Sequence, residues 1–238
     1  MGFIFVAEAQ AFINVESLRI DPKQGYRGAL GLSGNFQTGN TEKNIINFNS
    51  LNRYLNEKNE FLALANYKYG ETNHIKDTYL GAVHLRYSRE LEEDFFGEVF
   101  VQSEFNEFRS LIQRDLLGLS ARFRWLDTEN FFLFTGSGFF FEQEQLKIED
   151  RHEDLRGNFY LSVVYSKDSA LRSSVIAYFQ PLWNELLDHR LHLDLDFETR
   201  IYKALSATVG FDYQFDNRPV VGVKKYDSTT TIGLRANF

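Results

Sequence analysis

Leu191-His192-Leu193-Asp194-Leu195-Asp196-Phe197-Glu198-Thr199-Arg200-Ile201 alternates without a break. Every second residue is apolar, Thr199 aside, and the residues between are His, Asp, Asp, Glu and Arg. A period of two is the pattern of a β-strand, whose successive side chains point to opposite faces. Five ionisable groups on one face need water or counter-charges beside them. The other face needs an apolar surround.

Working outward, the same alternation recurs. Leu205, Ala207, Val209, Phe211, Tyr213 and Phe215 interleave with Ser206, Thr208, Gly210, Asp212 and Gln214. Leu117, Leu119, Ala121, Phe123 and Trp125 interleave with Gly118, Ser120, Arg122 and Arg124. Tyr26 to Phe36 behaves alike. The pattern predicts twelve strands, near 26–36, 44–54, 61–69, 79–87, 95–105, 115–125, 131–141, 155–165, 171–179, 191–201, 205–215 and 226–238. In 44–54, Ile45, Ile46, Phe48 and Leu51 commit to neither face, and 131–141 carries Phe on both. Connections after odd strands are longer than those after even strands, as in an up-and-down barrel with long loops at one end and tight turns at the other. Pro22, Pro181 and Pro219 all fall between the segments, where no ladder hydrogen bond is required of them.

Composition excludes other classes. The 238 residues hold 24 Phe and 12 Tyr but no Cys, so a disulfide scaffold and a thiolate metal site are both ruled out. A net charge of −7 provides no bulk basic field to attract nucleic acid. No run of 18 apolar residues exists to make a membrane helix. The aromatic and aliphatic content argues against disorder.

Alternation alone does not say whether the apolar face meets a protein core or lipid. Three features favour lipid. The predicted strands run 9–13 residues, where globular strands average about 5–6 and tilted membrane strands need about 9–11. Aromatic residues close both ends of the apolar faces: Tyr26 and Phe36, Phe61 and Tyr69, Tyr79 and Tyr87, Phe95 and Phe105, Phe131 and Phe141. At ~3.3 Å per residue and ~40° tilt these pairs stand roughly 20–25 Å apart along the membrane normal, the spacing of two interfacial girdles. Finally, Thr231, Gly233, Ala236 and Phe238 form a chain ending that resembles the signal by which the barrel-assembly machinery of Gram-negative outer membranes recognises its clients. The expected fold is therefore all-β: a transmembrane up-and-down antiparallel β-barrel of about 12 strands over 26–238, in the outer membrane, with its lipid and the assembly machinery as partners. Residues 1–25 form a leader. Phe3-Ile4-Phe5-Val6-Ala7 within it reads as the tail of a signal peptide or as an ordinary apolar N-terminus.

The sequence also resembles the YdiY-like family of outer-membrane proteins, a family of unknown function whose members are sometimes labelled salt-induced. The resemblance spans residues 25–238. It is carried by Gly39-Asn40-Thr41 after the Gly-rich first strand and by Asp216-Asn217-Arg218-Pro219 with Gly222, Lys224, Lys225 and Asp227 before the last. It implies an outer-membrane barrel and no established activity.

By parity the lumen collects Arg27, Lys68, Arg86, Arg122, Arg124, Arg156, Arg172, Arg200 and Arg235, with Glu98, Glu104, Asp194, Asp196, Glu198, Asp212, Asp227, His84 and His192. Arg86, Arg122, Arg124, Arg156, His192, Asp194, Asp196, Glu198, Arg200 and Asp212 are the candidate charged network. Phe100, Tyr160 and Tyr178 point inward and fill volume, and Gly136 and Gly138 make room for inward bulk. Twelve strands ~4.8 Å apart and tilted ~40° enclose a lumen near 6 Å in radius once side chains are subtracted. Pairing of opposite charges narrows or closes it. His192, Asp194, Asp196 and Glu198 form a salt-bridge ladder with facing arginines or, less simply, a cation site.

The expected function is a structural barrel or a narrow passive channel for small solutes or ions, without cofactor. The alternative is a lipid- or peptide-hydrolysing barrel with a site at the loop rim. Asp150, His152, Asp154, Asp188 and His189 supply residue types for one, but no histidine has an outward Ser partner by parity. No phosphate cradle or helical metal motif is present.

Overall fold

The computed structural model of the protein describes residues 24–167, 170–202 and 205–236. They form one sheet of twelve strands: β1 (Gly25–Gln37), β2 (Lys43–Asn56), β3 (Asn59–Thr72), β4 (Ile75–Glu92), β5 (Phe95–Asn106), β6 (Leu111–Asp127), β7 (Phe131–Leu146), β8 (His152–Lys167), β9 (Leu171–Leu182), β10 (Glu185–Tyr202), β11 (Leu205–Asp216) and β12 (Tyr226–Ala236). Strand order follows chain order, and every pairing is antiparallel. A 3-10 turn, Glu107–Arg109, lies between β5 and β6. The expected leader, with its signal-like run and Pro22, falls almost wholly outside the described residues, as does Phe238.

Among the described residues no ladder joins β12 to β1. The sheet is nonetheless curled. Arg109, between β5 and β6, donates to Gln214 of β11 and pairs with Asp227 of β12. Tyr160 of β8 reaches Glu98 of β5, and Arg190 of β10 reaches Glu142 and Glu144 of β7. Only a strongly concave surface brings strands so far apart in order within hydrogen-bond reach.

The concave face is polar and the convex face apolar. Arg53, Glu60, His84, Arg86, Glu98, Gln102, Glu104, Arg114, Arg122, Glu142, Glu144, Arg156 and Asp212 are all buried. Leu30, Leu32, Val83, Leu85, Leu117, Leu119, Phe139, Leu161, Ile232 and Leu234 are exposed, Leu30 to 74% and Ile232 to 79%. In water this would place the apolar surface where it costs most; in lipid it is the stable arrangement.

The two ambiguous strands resolve by packing. In β2, Leu51 and Arg53 face inward: Leu51 packs on Leu62 and Leu64, and Arg53 Nε donates to Glu60 Oε1 at 2.6 Å. Ile46 and Tyr54 face outward. In β7, Phe134 and Phe140 face in while Phe139 and Phe141 face out. Inward bulk is accommodated by glycines on neighbouring strands. A Cβ on Gly136 would stand 1.9 Å from the Tyr160 ring and one on Gly118 2.2 Å from the Phe100 ring. Gly138 differs from expectation: a Cβ there would meet the Leu119 carbonyl at 2.2 Å and the Ser120 α-carbon at 2.6 Å rather than a large side chain.

The strands are longer than the alternation suggested, reaching 18 residues in β4 and β10. At ~3.3 Å per residue and ~40° tilt, 18 residues rise about 45 Å, well beyond an apolar band of ~25 Å. Most expected long loops are thus absorbed into strand. The connections at that end are only 38–42, 73–74, 107–110, 147–151, 183–184 and 217–225. The reason is that ladder hydrogen bonds do not require an apolar outer face. Above the band the outward positions become Glu71, Gln113, Asp115, Gln143, Gln145 and Glu153 while pairing continues. Asn73 and His74 close β3 to β4 with φ of 51° and 62°, both positive as a two-residue type I′ hairpin turn requires. Asn73 also exchanges hydrogen bonds with the backbone of Glu42 in the neighbouring connection.

Candidate functional site

The site is the interior, which is stratified along the barrel. The loop end is the end carrying the connections above; the opposite, terminal end carries Gly25 and Ala236.

Just inside the loop end lies the densest charge cluster. Arg190 is its hub, with Nη1 2.6 Å from Glu142, Nη2 3.1 Å from Glu144 and Nε 3.0 Å from Asp216. Arg156 bridges Glu142 at 3.2 Å and Asp188 at 3.0 Å. Arg114 pairs with Glu104 and approaches Glu144 at 3.6 Å. Strand register builds this layer: Arg114 lies opposite Glu104 and Glu144, and Arg190 opposite Asp216. Each carboxylate faces at least one guanidinium, so the desolvation of one charge is offset by the other, and removal of a single partner is costly. At the level of the 3-10 turn, Lys76 and Lys147 both engage Glu107. The hydrogen bond from Lys76 holds the Glu107 carboxyl below its ordinary range, with Lys147 adding to the effect.

The middle layer is aromatic and amide-rich. Phe100, Leu116 and Phe140 form one cluster and Tyr160, Ile176 and Tyr178 another. His84 stacks on Phe100 with centroids 5.6 Å apart, and its Nδ1 donates to Gln102 Oε1 at 2.9 Å. His192, Asp194 and Asp212 converge here, each offering a ligand atom within 4.8 Å of the others. Asp194 lies directly across the ladder from Asp212.

Toward the terminal end, Glu98 accepts from Ser88 at 3.0 Å, Tyr160 at 3.2 Å and Arg86 at 3.4 Å. The Arg122 guanidinium lies 3.9 Å from the centre of the Phe134 ring and 5.9 Å from that of Phe96. Arg124 binds Asp94 of the adjoining turn at 2.6 Å and Asp127 at 3.2 Å.

Of the sequence-derived network, Arg86, Arg122, Arg156, His192, Asp194 and Asp212 are therefore buried in the interior. Arg124 sits at the terminal rim. Glu198 is half-buried, while Asp196 and Arg200 are exposed. The proposed acidic ladder along β10 divides: Asp194 joins Asp212 and His192, whereas Asp196 faces Gly210 and Glu198 faces Thr208 and Arg172. In the terminal signature, Thr231 pairs with Gly210, Gly233 with Thr208 and Ala236 with Leu205.

Sequence reasoning left Arg53, Glu60, Arg114, Glu142, Glu144 and Arg190 out of the interior network, and read Asp188 at the loop rim and Asp216 only within a family motif. Most lie in stretches taken for loops. The signal was there: in Phe141-Glu142-Gln143-Glu144-Gln145-Leu146 the parity of Phe140 continues unbroken after the apolar outer face has ended. At the loop rim, His152 Nε2 lies 3.4 Å from Glu144 and 3.6 Å from Asp154, and His189 Nδ1 lies 3.1 Å from the Leu187 carbonyl.

A twelve-stranded up-and-down wall, apolar outside and lined by paired charges, has the porin-like architecture. The chain belongs to the family of proteins of unknown function DUF481, whose family model matches residues 30–238. Among solved structures it is similar in fold to the NanC porin, with a TM-score of 0.50 at 13% identity, over 88% of this chain and 100% of that one. It also aligns with a bacterial polysaccharide outer membrane secretin, with a TM-score of 0.44 at 10% identity, over 90% of this chain and 84% of that one. No curated protein matches the chain in sequence.

Proposed function

We propose that the protein is a non-enzymatic outer-membrane barrel that gives small ions a narrow passive route, restricted at its loop end by the charge layer centred on Arg190. The observation that carries this reading is the three-acid coordination of Arg190 by Glu142, Glu144 and Asp216, reinforced by Arg114 and Arg156 from neighbouring strands. Fixed opposed charges at a constriction pass small ions and hold back larger solutes. The inverted burial supports a lipid surround. The fold likeness to a porin and the terminal signature support the outer membrane, reached through the barrel-assembly machinery.

The test is planar-bilayer conductance of refolded protein. The wild type should show a small unit conductance. Arg190→Met removes one cation from among three carboxylates, so conductance should rise and shift toward cation preference. High salt should blunt the shift, because the Debye length falls from about 10 Å at 0.1 M to about 3 Å at 1 M. Unchanged conductance and selectivity would remove Arg190 from the conduction path. A purified phospholipase or peptidase activity lost on changing His152 or His189 would instead establish the enzymatic alternative.

A further inference from the structure

The convex face is not uniform. Over β6, β8 and β10 it is closed by Leu117, Leu119, Leu161, Val163, Leu191, Leu193 and Leu195. Over β1 to β3 the row just inside the terminal-end girdle holds smaller residues, bounded on β4 by Leu85. Gly28, Asn52, Ala63 and Leu85 follow one another across successive ladders. The next row toward the terminal end is aromatic: Tyr26, Tyr54, Phe61 and Tyr87. Phe61 lies 4.7 Å from Tyr87 and 6.5 Å from Tyr54 between ring centroids, so these side chains make a continuous wall.

Short residues beside a tall wall leave a groove of about 410 Å³, with Ala63 on its floor, Tyr54, Phe61 and Tyr87 along its terminal side and Leu85 and Val101 continuing the row of Ala63. That size falls within the ~300–1,000 Å³ of small-ligand sites. The Asn52 amide does not make the groove polar, because its oxygen accepts from the Tyr26 hydroxyl at 2.6 Å and its nitrogen donates to Ser50 at 3.0 Å.

At the terminal end of the same groove stand two exposed cations. Arg89 follows Tyr87 by two residues on the same face, and its ladder partner Asn59 accepts the Tyr87 hydroxyl at 2.8 Å. Lys58 precedes Asn59 in the two-residue turn. Among the described residues neither cation has an ion-pair partner. An apolar groove, then the tyrosines of the girdle, then two cations beyond them toward the terminal end, has the order of parts of a phospholipid: chain, interface, phosphate.

We propose that this groove holds one acyl chain of an anionic phospholipid, with its phosphate against Arg89 and Lys58. The proposal rests on the lipid-surrounded barrel of the preceding section. The terminal end, with its short turns, corresponds to the periplasmic end of outer-membrane barrels, so the lipid belongs to the inner leaflet. A continuous apolar surface would be solvated by any lipid chain; the groove and its cations select one chain and one headgroup charge.

The experiment refolds the protein into vesicles of mixed phosphatidylglycerol and phosphatidylethanolamine, extracts it into detergent, and reads retained lipid by native mass spectrometry. The wild type should retain one phosphatidylglycerol in preference to phosphatidylethanolamine. Arg89→Gln should reduce retention about fivefold, the effect of one basic residue at an anionic surface. Ala63→Phe, which fills the groove, should abolish retention. Ala177→Phe, on the convex face of β9, should leave it unchanged. Retention by Ala63→Phe equal to wild type, or equal retention of both lipids, overturns the proposal. So does a dimer that Ala63→Phe dissociates without affecting lipid, which would assign the groove to a second copy of the chain. Heat-modifiable migration on cold gels is scored for each variant. Its presence with no retained lipid refutes the lipid site alone, whereas its absence in all variants refutes the barrel reading itself.

Discussion

Leu195→Arg tests the inside–outside assignment where the cost is greatest. Leu195 lies on the convex face of β10, four residues from Leu191 and six from Ile201. At ~3.3 Å per residue and ~40° tilt, that is about 10 Å from one end of the apolar row and about 15 Å from the other, near the centre of a ~25 Å band. Its ladder partners are Phe211 on β11 and Val175 on β9, so no carboxylate on that face can meet the new guanidinium. A lipid-facing Arg at midplane costs about 2–4 kcal/mol and one near the interface about 0–1. Leu195→Arg should therefore lower the folding equilibrium constant by roughly 30- to 800-fold, and Ile201→Arg by no more than about fivefold. Thr208→Arg, on the concave face opposite Glu198, should be tolerated because an acid is within reach. The assay is urea unfolding from lipid vesicles, followed by the fluorescence of Trp125 and Trp183. A loss for Leu195→Arg no greater than that for Thr208→Arg would refute the assignment of the apolar face to lipid.

In the same assay Gly136→Ala should cost about 1–3 kcal/mol by overpacking, since its Cβ would enter the Tyr160 ring; pairing it with Tyr160→Leu should recover part of the loss, and strict additivity would sink the explanation. Arg53→Met should cost about 3–5 kcal/mol by leaving Glu60 buried beside an apolar group, and Arg53→Met with Glu60→Leu should cost less than Arg53→Met alone; a worse double variant would mean that the pair is not coupled. Glu107 should titrate below the ordinary ~4.3 of a glutamate, so its contribution to stability is present above that value and lost as pH falls through the lowered one. An NMR titration showing no upward return of the Glu107 value in Lys76→Ala would remove Lys76 as the cause.

The alternation of β10 and the terminal aromatics of each apolar face were legible in the residues because parity is local: a strand's two faces follow from its backbone alone. That is why twelve segments, their order and the inward course of Arg86, Arg122, Arg156, His192, Asp194 and Asp212 can be read from the chain. Parity also holds where the outer face turns polar, but there hydrophobic contrast disappears, and Arg114, Glu142, Glu144 and Arg190 pass for loop residues. Only the ladders show that they remain in strand. Tertiary structure alone decided which charges meet. Asp194, Asp196 and Glu198 are equivalent by sequence, yet curvature buries the first beside Asp212 and leaves Asp196 exposed. Arg190 finds Glu142 from three strands away. A pairing of that kind depends on register between strands and on the closeness of opposite walls, and neither quantity is written in the period of a single strand.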